Sequence, residues 1–209
     1  LACWPEEIET LERLGAQNMT DLADSLTRHG IDADFHVPGE ITMALTEHQV
    51  GTVREGYELH RAHGIPVTLL DAAEARARVN SPRYLSGFLD PTVGLVDPAR
   101  LVWGLADAAE RLGVRLHEDT SVTGFDADIA GVTVRTEWGS VRADRVVLGT
   151  GAFRGPLKRL AHYTLPVYDH VLMTEPLSPA QLDAVGWHGR EGLTDAGNQF
   201  HYYRRTLDD

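Results

Sequence analysis

Gly149-Thr150-Gly151 closes a stretch, Val141 to Gly155 (VRADRVVLGTGAFRG), suited to close approach of backbone to a ligand. Two glycines flanking one small residue offer N–H groups with no side chain in the way, the use such turns have in nucleotide-binding α/β proteins. Ahead of them a polar, alternating lead-in becomes the unbroken apolar run Val146-Val147-Leu148, the pattern of a buried strand ending in a tight turn. A plain strand-to-loop junction accounts for the same residues, so the surroundings must decide. Through Gly155 the turn reads G-x-G-x-x-x-G, a variant of the dinucleotide fingerprint. That fingerprint opens a full helix and is followed about 20 residues on by an acid at a strand end. Here only Pro156 to Tyr163 is available before Pro166, and the acid, Asp169, falls inside a predicted strand. The turn does not stand as a self-contained dinucleotide site.

Other chemistry is weaker. Ten histidines invite a metal reading, but His60 and His63 lie three apart on a predicted helix without a carboxylate or thiolate set, and His29, His36 and His48 are scattered. Solvated histidines and no metal are the expectation. There is no G-x-S-x-G elbow, P-loop, C-x-x-C or H-E-x-x-H, so no catalytic residue is assigned.

The elements that position the turn read as follows. Apolar residues at Ile8, Leu11, Leu14, Met19, Leu22 and Leu26, with Gly30 after Arg28-His29, predict a helix over Pro5–His29, interrupted near Gly15. Short runs either side of Pro38-Gly39 predict a strand pair or bent strand within Ile31–Leu45. Thr46 N-caps a helix to about Ala62, Val67–Leu70 is a strand, and Asp71 with Glu74 is a capping-box-like helix start. Tyr84 to Asp97 reads as a Gly/Pro-rich loop of the length that often carries function. Asp97-Pro98 opens the best-signalled helix, stopped by Gly113. Period-two patterning follows in Val114–His117, Ser121–Phe125, Val132–Thr136 and Ser140–Leu148, an antiparallel meander returning to a core strand. Leu165–Thr174 reads as a long strand, Ser178–Val185 as a capped helix, and Gln199–Arg204 as an aromatic strand.

Composition limits the partners. With 31 acidic against 19 basic residues the net charge is −12, spread without blocks, which argues against nucleic acid or an anionic membrane surface. No run approaches a membrane span, and the one cysteine, Cys3, fits a reducing, cytoplasmic setting. The opening on Leu1 and the close at Asp208-Asp209, just after a strand-like run, lead us to expect a fragment.

Four blocks then occur in order: Gly94-Leu95-Val96-Asp97-Pro98-Ala99-Arg100-Leu101; Arg111-Leu112-Gly113-Val114; Thr120-Ser121-Val122-Thr123-Gly124-Phe125; and Val141 to Phe153 through Gly149-Thr150-Gly151-Ala152. Together they resemble the D-amino acid oxidase/glycine oxidase superfamily of FAD-dependent amine and amino-acid oxidases. Gly149 stands where that family usually has Ala. The resemblance runs more weakly over nearly the whole chain and is nearest the gamma-glutamylputrescine oxidase-like branch, as in Asp195-Ala196-Gly197-Asn198-Gln199-Phe200-His201-Tyr202.

The resemblance implies an α/β (mixed α+β) fold: part of an FAD-binding Rossmann-like domain with an antiparallel meander, plus a mixed-sheet substrate domain. It implies a helical segment of the flavin domain at 1–29, substrate domain at 30–89 and 165–209, and flavin domain at 90–164. Val122 resembles the residue whose backbone meets the adenine. Thr150, Gly151 and Ala152 resemble the turn near the pyrophosphate and ribose, and Tyr202 or Tyr203 an aromatic wall of the substrate pocket. The implied activity is oxidation of the C–N bond of a small amine or amino acid, with hydride passing to FAD. For each residue a bland reading stands beside this one, Val122 as strand core and the tyrosines as core or edge aromatics. A non-catalytic module, a degenerate relative, or an enzyme similar to FAD-dependent glycerol-3-phosphate dehydrogenase stays open as an alternative. The family's opening strand–G-x-G-x-x-G–helix and its C-terminal glycine-rich segment are not in this sequence. This polypeptide alone is therefore expected to bind FAD weakly or not at all.

Overall fold

Helix α1, Ile8–His29, follows a short 3-10 turn at Pro5–Glu7 and ends where Gly30 adopts the left-handed conformation. The computed structural model that supplies these elements describes residues 5–151, 153, 155, 157, 162–163 and 165–207. Gly15 does not break α1, because no atom crowds it and one glycine costs a helix only about 1 kcal/mol.

Two units are present, Leu1–Gly113 with Thr174–Asp209, and Val114–Met173. The first contains β1 (Glu40–Ala44), α2 (Glu47–Ala62), β2 (Thr68–Leu70), α3 (Ala72–Arg78), β3 (Ser86–Asp90) and α4 (Pro98–Arg111). After the second unit it resumes with α5 (Pro179–Val185), β7 (Gly192–Asp195) and β8 (Tyr202–Tyr203). Its strands form one mixed sheet in the order β2-β3-β1-β7-β8. Only β1 and β7 pair in parallel, in the register Ile41 to Leu193, so two distant stretches of chain meet at the centre of the sheet. Ile41, Met43 and Leu193 point to one face and pack with Leu70, Ala75, Val79 and Tyr84. Ala44 and Phe88 point to the other, under Val53 of α2 and Val67.

Local capping chemistry sets several ends. Asp71 and Glu74 close a full capping box on α3, and Asp97 accepts from the N–H groups of Ala99 and Arg100 with Pro98 at the first position of α4. Ser178 and Gln181 form a second capping box on α5. Thr46 precedes α2 but makes no side-chain cap.

The second unit contains the meander β4 (Val122–Asp128), β5 (Gly131–Thr136) and β6 (Gly139–Ala143), paired antiparallel in that order. None of the fully buried apolar side chains among the described residues belongs to it.

Several sequence expectations are corrected. The Pro38-Gly39 turn joins no strand pair. Only Glu40–Ala44 is a strand, and the preceding run contributes a single bridge, His36 to Leu95. Gly39 turns at φ 85, where a Cβ would lie 2.7 Å from the Asp90 carbonyl, so the chain swings β1 between β3 and β7. The stretch from Tyr84 to Asp97 is not all loop. Its Ser86–Asp90 is β3, flanked by strands on both sides, and a Cβ on Gly87 would lie 3.0 Å from Met43 Sδ and from the Thr42 carbonyl. That close approach is the reason a strand carries glycine there.

Two predicted strands are absent and a third is cut short. Val114–His117 and Leu165–Thr174 have no regular structure, and the fourth meander strand stops at Ala143 rather than Leu148. A buried strand takes its hydrogen bonds from neighbours on both sides. No described strand pairs with Val146–Leu148, whose central Val147 is 92% exposed.

Candidate functional site

Thr150 accepts a hydrogen bond from the N–H of Phe153 at 3.0 Å, so the glycine turn closes as a one-turn loop. Gly151 has φ 55, and beyond the adjacent residues no described atom lies within 4 Å of where a Cβ would stand on Gly149 or Gly151. The turn is open backbone, as a phosphate- or ribose-approaching turn requires. Ala152 lies outside the described residues.

Val122 begins β4, an edge strand of the meander, and is 49% exposed. The β4–β5 register shifts between Val122 and Gly124. An edge strand in an antiparallel pair turns the N–H and C=O of alternate residues away from its partner, the geometry a base edge would need. The core-residue reading of Val122 is not what the structure gives. Each by itself offers exposed backbone of the kind a dinucleotide would approach.

Tyr202 and Tyr203 form β8, at the other unit's sheet edge. They point to opposite faces. Tyr203 pairs with Leu193, its ring meets Trp187 edge-on at 5.8 Å, and its hydroxyl is hydrogen-bonded to that of buried Tyr84. Burial, followed by the Tyr84 hydroxyl and the charge of Asp195, pushes the Tyr203 phenol well above the tyrosine range, so it is neutral. Tyr202 pairs with Thr194 and lies 5.7 Å from the ring of Phe200, with both aromatic rings more than half exposed.

At the end of β7 sits Asp195, the one polar or charged residue that is buried among the described residues. It accepts from the N–H groups of Gly197 (2.9 Å) and His201 (3.0 Å) and is 2.7 Å from His201 Nδ1. Burial works to raise its carboxyl, and the hydrogen bonds from His201 and the two amides outweigh it, holding the group below the usual carboxylate range. Sequence reading did not single out this pair as chemistry. An Asp ending a strand two residues before a glycine is the available signal, that of an Asx turn.

A second polar cluster ties the loop after α1 to the approach to β7. Arg190 donates to both carboxylate oxygens of Asp34, at 3.2 and 2.7 Å, across 156 positions of sequence. Asp34 has φ 48, and His36 Nδ1 is 2.8 Å from its carbonyl. The Arg190 hydrogen bonds, against the opposing effect of burial, hold Asp34 below the usual carboxylate range. Such a group adds stability above its unfolded-state pKa, and that share is lost as pH falls through the lower folded value. Asn tolerates this backbone conformation, so Asp34→Asn isolates the charge. The variant is expected to be less stable by about 1–3 kcal/mol at neutral pH. The gap should close as pH falls below the carboxylate range, read from urea midpoints across the titration. A gap that persists in acid would assign the effect to shape rather than charge.

Glu40 and Asp90 face each other across β1 and β3, and burial, then the Asp90 charge, pushes Glu40 up. Among the described residues no group of three or more His, Cys, Asp or Glu is placed to hold a metal ion, and no helix is long and apolar enough to cross a membrane.

Comparison with known proteins gives these residues a context. Residues 2–209 match the family described as DAO, FAD dependent oxidoreductase. The chain is 33% identical over 191 residues to gamma-glutamylputrescine oxidoreductase of Escherichia coli (strain K12), covering 90% of this chain and 44% of that protein. It is 29% identical over 189 residues to glycine oxidase of Geobacillus kaustophilus (strain HTA426), covering 87% and 50%. The crystal structure of glycine oxidase from Geobacillus kaustophilus superposes with a TM-score of 0.65 at 29% identity, over 73% of this chain and 42% of that one. L-proline dehydrogenase from P. horikoshii shares the fold, with a TM-score of 0.66 at 18% identity over 92% and 52%. The chain spans about half the length of the curated relatives it matches.

Proposed function

We propose, from the premise that the chain belongs to the DAO family of FAD dependent oxidoreductases, that the full-length protein oxidises the C–N bond of a small amine or amino acid. The observation that carries this reading is the 33% identity to gamma-glutamylputrescine oxidoreductase, which runs through 90% of this chain. FAD, when bound, would supply the acceptor for the hydride leaving the carbon beside the amine. The residues that would hold it here are Val122, through its backbone, and Thr150, Gly151 and Ala152, beside the N–H groups that Gly149 and Gly151 offer with no side chain in the way.

The share of this chain in the chemistry is orientation and exclusion of water. Tyr202 or Tyr203 would wall the substrate, and the mixed sheet would fix the wall. The pairing of β1–β3 with β7–β8 in one sheet supports a substrate domain at 30–89 and 165–209. Flavin-domain segments at 1–29 and 90–164 complete the proposed organisation. The reading takes a small molecule as partner rather than nucleic acid, in keeping with the charge of −12, and a cytoplasmic setting, in keeping with the single Cys3.

The test is anaerobic flavin bleaching in the full-length protein by γ-glutamylputrescine, glycine, sarcosine and D-alanine. Bleaching by at least one amine is expected. Peroxide formed on admitting oxygen would make it an oxidase, and turnover only with a dye acceptor a dehydrogenase. A flavin that all four leave oxidised would overturn the reading.

A further inference from the structure

The Asp195–His201 pair differs from the other ion pairs in the sheet unit in the contrast between its members. The carboxylate is 7% exposed and the imidazole 78%. A buried carboxylate costs free energy unless its lone pairs are met, and three donors meet this one. Two of those donors are backbone amides of the loop, and they would suffice to shape it. The third is a ring whose other nitrogen, by the geometry of imidazole, points away from Asp195. An ionised acceptor at Nδ1 selects the tautomer with hydrogen on Nδ1, which leaves the lone pair on Nε2 facing outward. The rings of Phe200 and Tyr202, 5.7 Å apart, stand on either side of His201 in the sequence, at 55% and 58% exposure. Exposed aromatic faces beside a base suit an organic cation.

We infer that His201 Nε2 is the proton acceptor for the ammonium form of the substrate, with Asp195 as its positioning residue. This rests on the amine-oxidising activity proposed above. The step is a proton transfer only. The ammonium N–H bond breaks, its electron pair stays on nitrogen, and the proton forms a new N–H bond at Nε2. No electron passes to or from the protein. A neutral amine is the form from which hydride can leave, because its lone pair stabilises the iminium that results. Among the described residues the titratable group in contact with His201 is Asp195 on β7, whose charge also reaches the Tyr203 phenol. From α2 the same loop meets Gln49, which carries no charge. Asp195 is thus the group that sets the orientation of His201.

The test has two parts. In this chain labelled with 15N-histidine, the neutral His201 ring should be the Nδ1–H tautomer; an Nε2–H ring would overturn the proposal without any flavin being present. In the full-length flavoprotein, His201→Gln should lower the second-order rate of flavin reduction by roughly 100-fold at neutral pH. The loss should fade above about pH 10.5, where an alkylamine is already neutral. Asp195→Asn keeps an oxygen for the loop amides but turns an amide N–H toward Nδ1, and should give a similar profile. A uniform loss at every pH, or none, would make the pair structural and overturn the role while leaving the amine-oxidising activity intact. A wild-type flavin that none of the four amines reduces would remove both.

Discussion

Shortening Leu193 to alanine is expected to lower the unfolding free energy of the sheet unit by about 2–5 kcal/mol. Leu193 is 1% exposed and sits on β7 opposite Ile41, in the one parallel pairing of the sheet. Its side chain fills the space among Met43, Leu70, Ala75, Val79 and Tyr84. Removal of its isobutyl group forfeits transfer free energy and leaves a cavity that side chains on short strands cannot close. The backbone enlarges the effect. Strands β7 and β8 reach the core mainly through β1, so loosening Leu193 loosens the aromatic edge with it. Domains of this size have about 5–15 kcal/mol in total, so the loss is a large fraction of what is available. Urea denaturation of the 209-residue chain would measure it, with Leu59→Ala as reference, since Leu59 is 41% exposed on α2. The reference change should cost under about 1 kcal/mol. Equal midpoints for the two variants would mean that β7 is not docked on β1 in solution.

The same strand shows where sequence reading succeeds and where it stops. Helix ends were legible because their chemistry is local: Asp71 with Glu74, Asp97 before Pro98, and Ser178 before Pro179 all cap as their spacing implies. β7, four residues reading Gly-Leu-Thr-Asp, carries too little alternation to be seen, and its place depends on Ile41 far away. β3 was hidden by Gly87, whose lack of a side chain looks like loop punctuation and is in fact a packing requirement. The opposite error occurred at Val146–Leu148 and Leu165–Thr174, where an apolar run states what a partner would bury and not that a partner is there.

The site divides in the same manner. Gly151 is exposed backbone at positive φ, and the pattern of the turn announced it. Tyr202 and Tyr203 were legible as an alternating aromatic pair, and the structure adds that Tyr203 is tied to Tyr84 and Trp187. Asp195 and His201 meet because the chain doubles back between β7 and β8, and Asp34 meets Arg190 across 156 positions. Asp34 with Arg190 has no local signature, and Asp195 with His201 has only the Asx-turn spacing of Asp195 and Gly197, so composition and period were silent on both pairings.

Gly151→Val is expected to strip flavin from the full-length protein, leaving at most a small fraction of the wild-type flavin after gel filtration. Two effects combine. At φ 55 an L-residue is strained by about 1–2 kcal/mol, and a β-branched side chain adds to that. The branched carbon also fills the space over the turn through which a pyrophosphate or ribose would approach. Each 1.4 kcal/mol is tenfold in affinity, so strain alone predicts roughly a tenfold loss before the steric block is counted. Thr150→Pro should act by another route, since proline removes one backbone donor from the turn and leaves Gly151 unchanged. The 209-residue chain is the control. In this polypeptide no cofactor holds the turn at positive φ, so the exposed backbone can relax that strain, and a Cβ at Gly151 meets nothing beyond its chain neighbours within 4 Å; the urea midpoint should move by no more than the backbone strain itself. The two variants separate the roles of the turn. Flavin lost from Gly151→Val and Thr150→Pro, with folding intact, means that the turn supplies both room and N–H groups. Flavin retained by both would make Gly149-Thr150-Gly151 a chain reversal with no part in holding the cofactor.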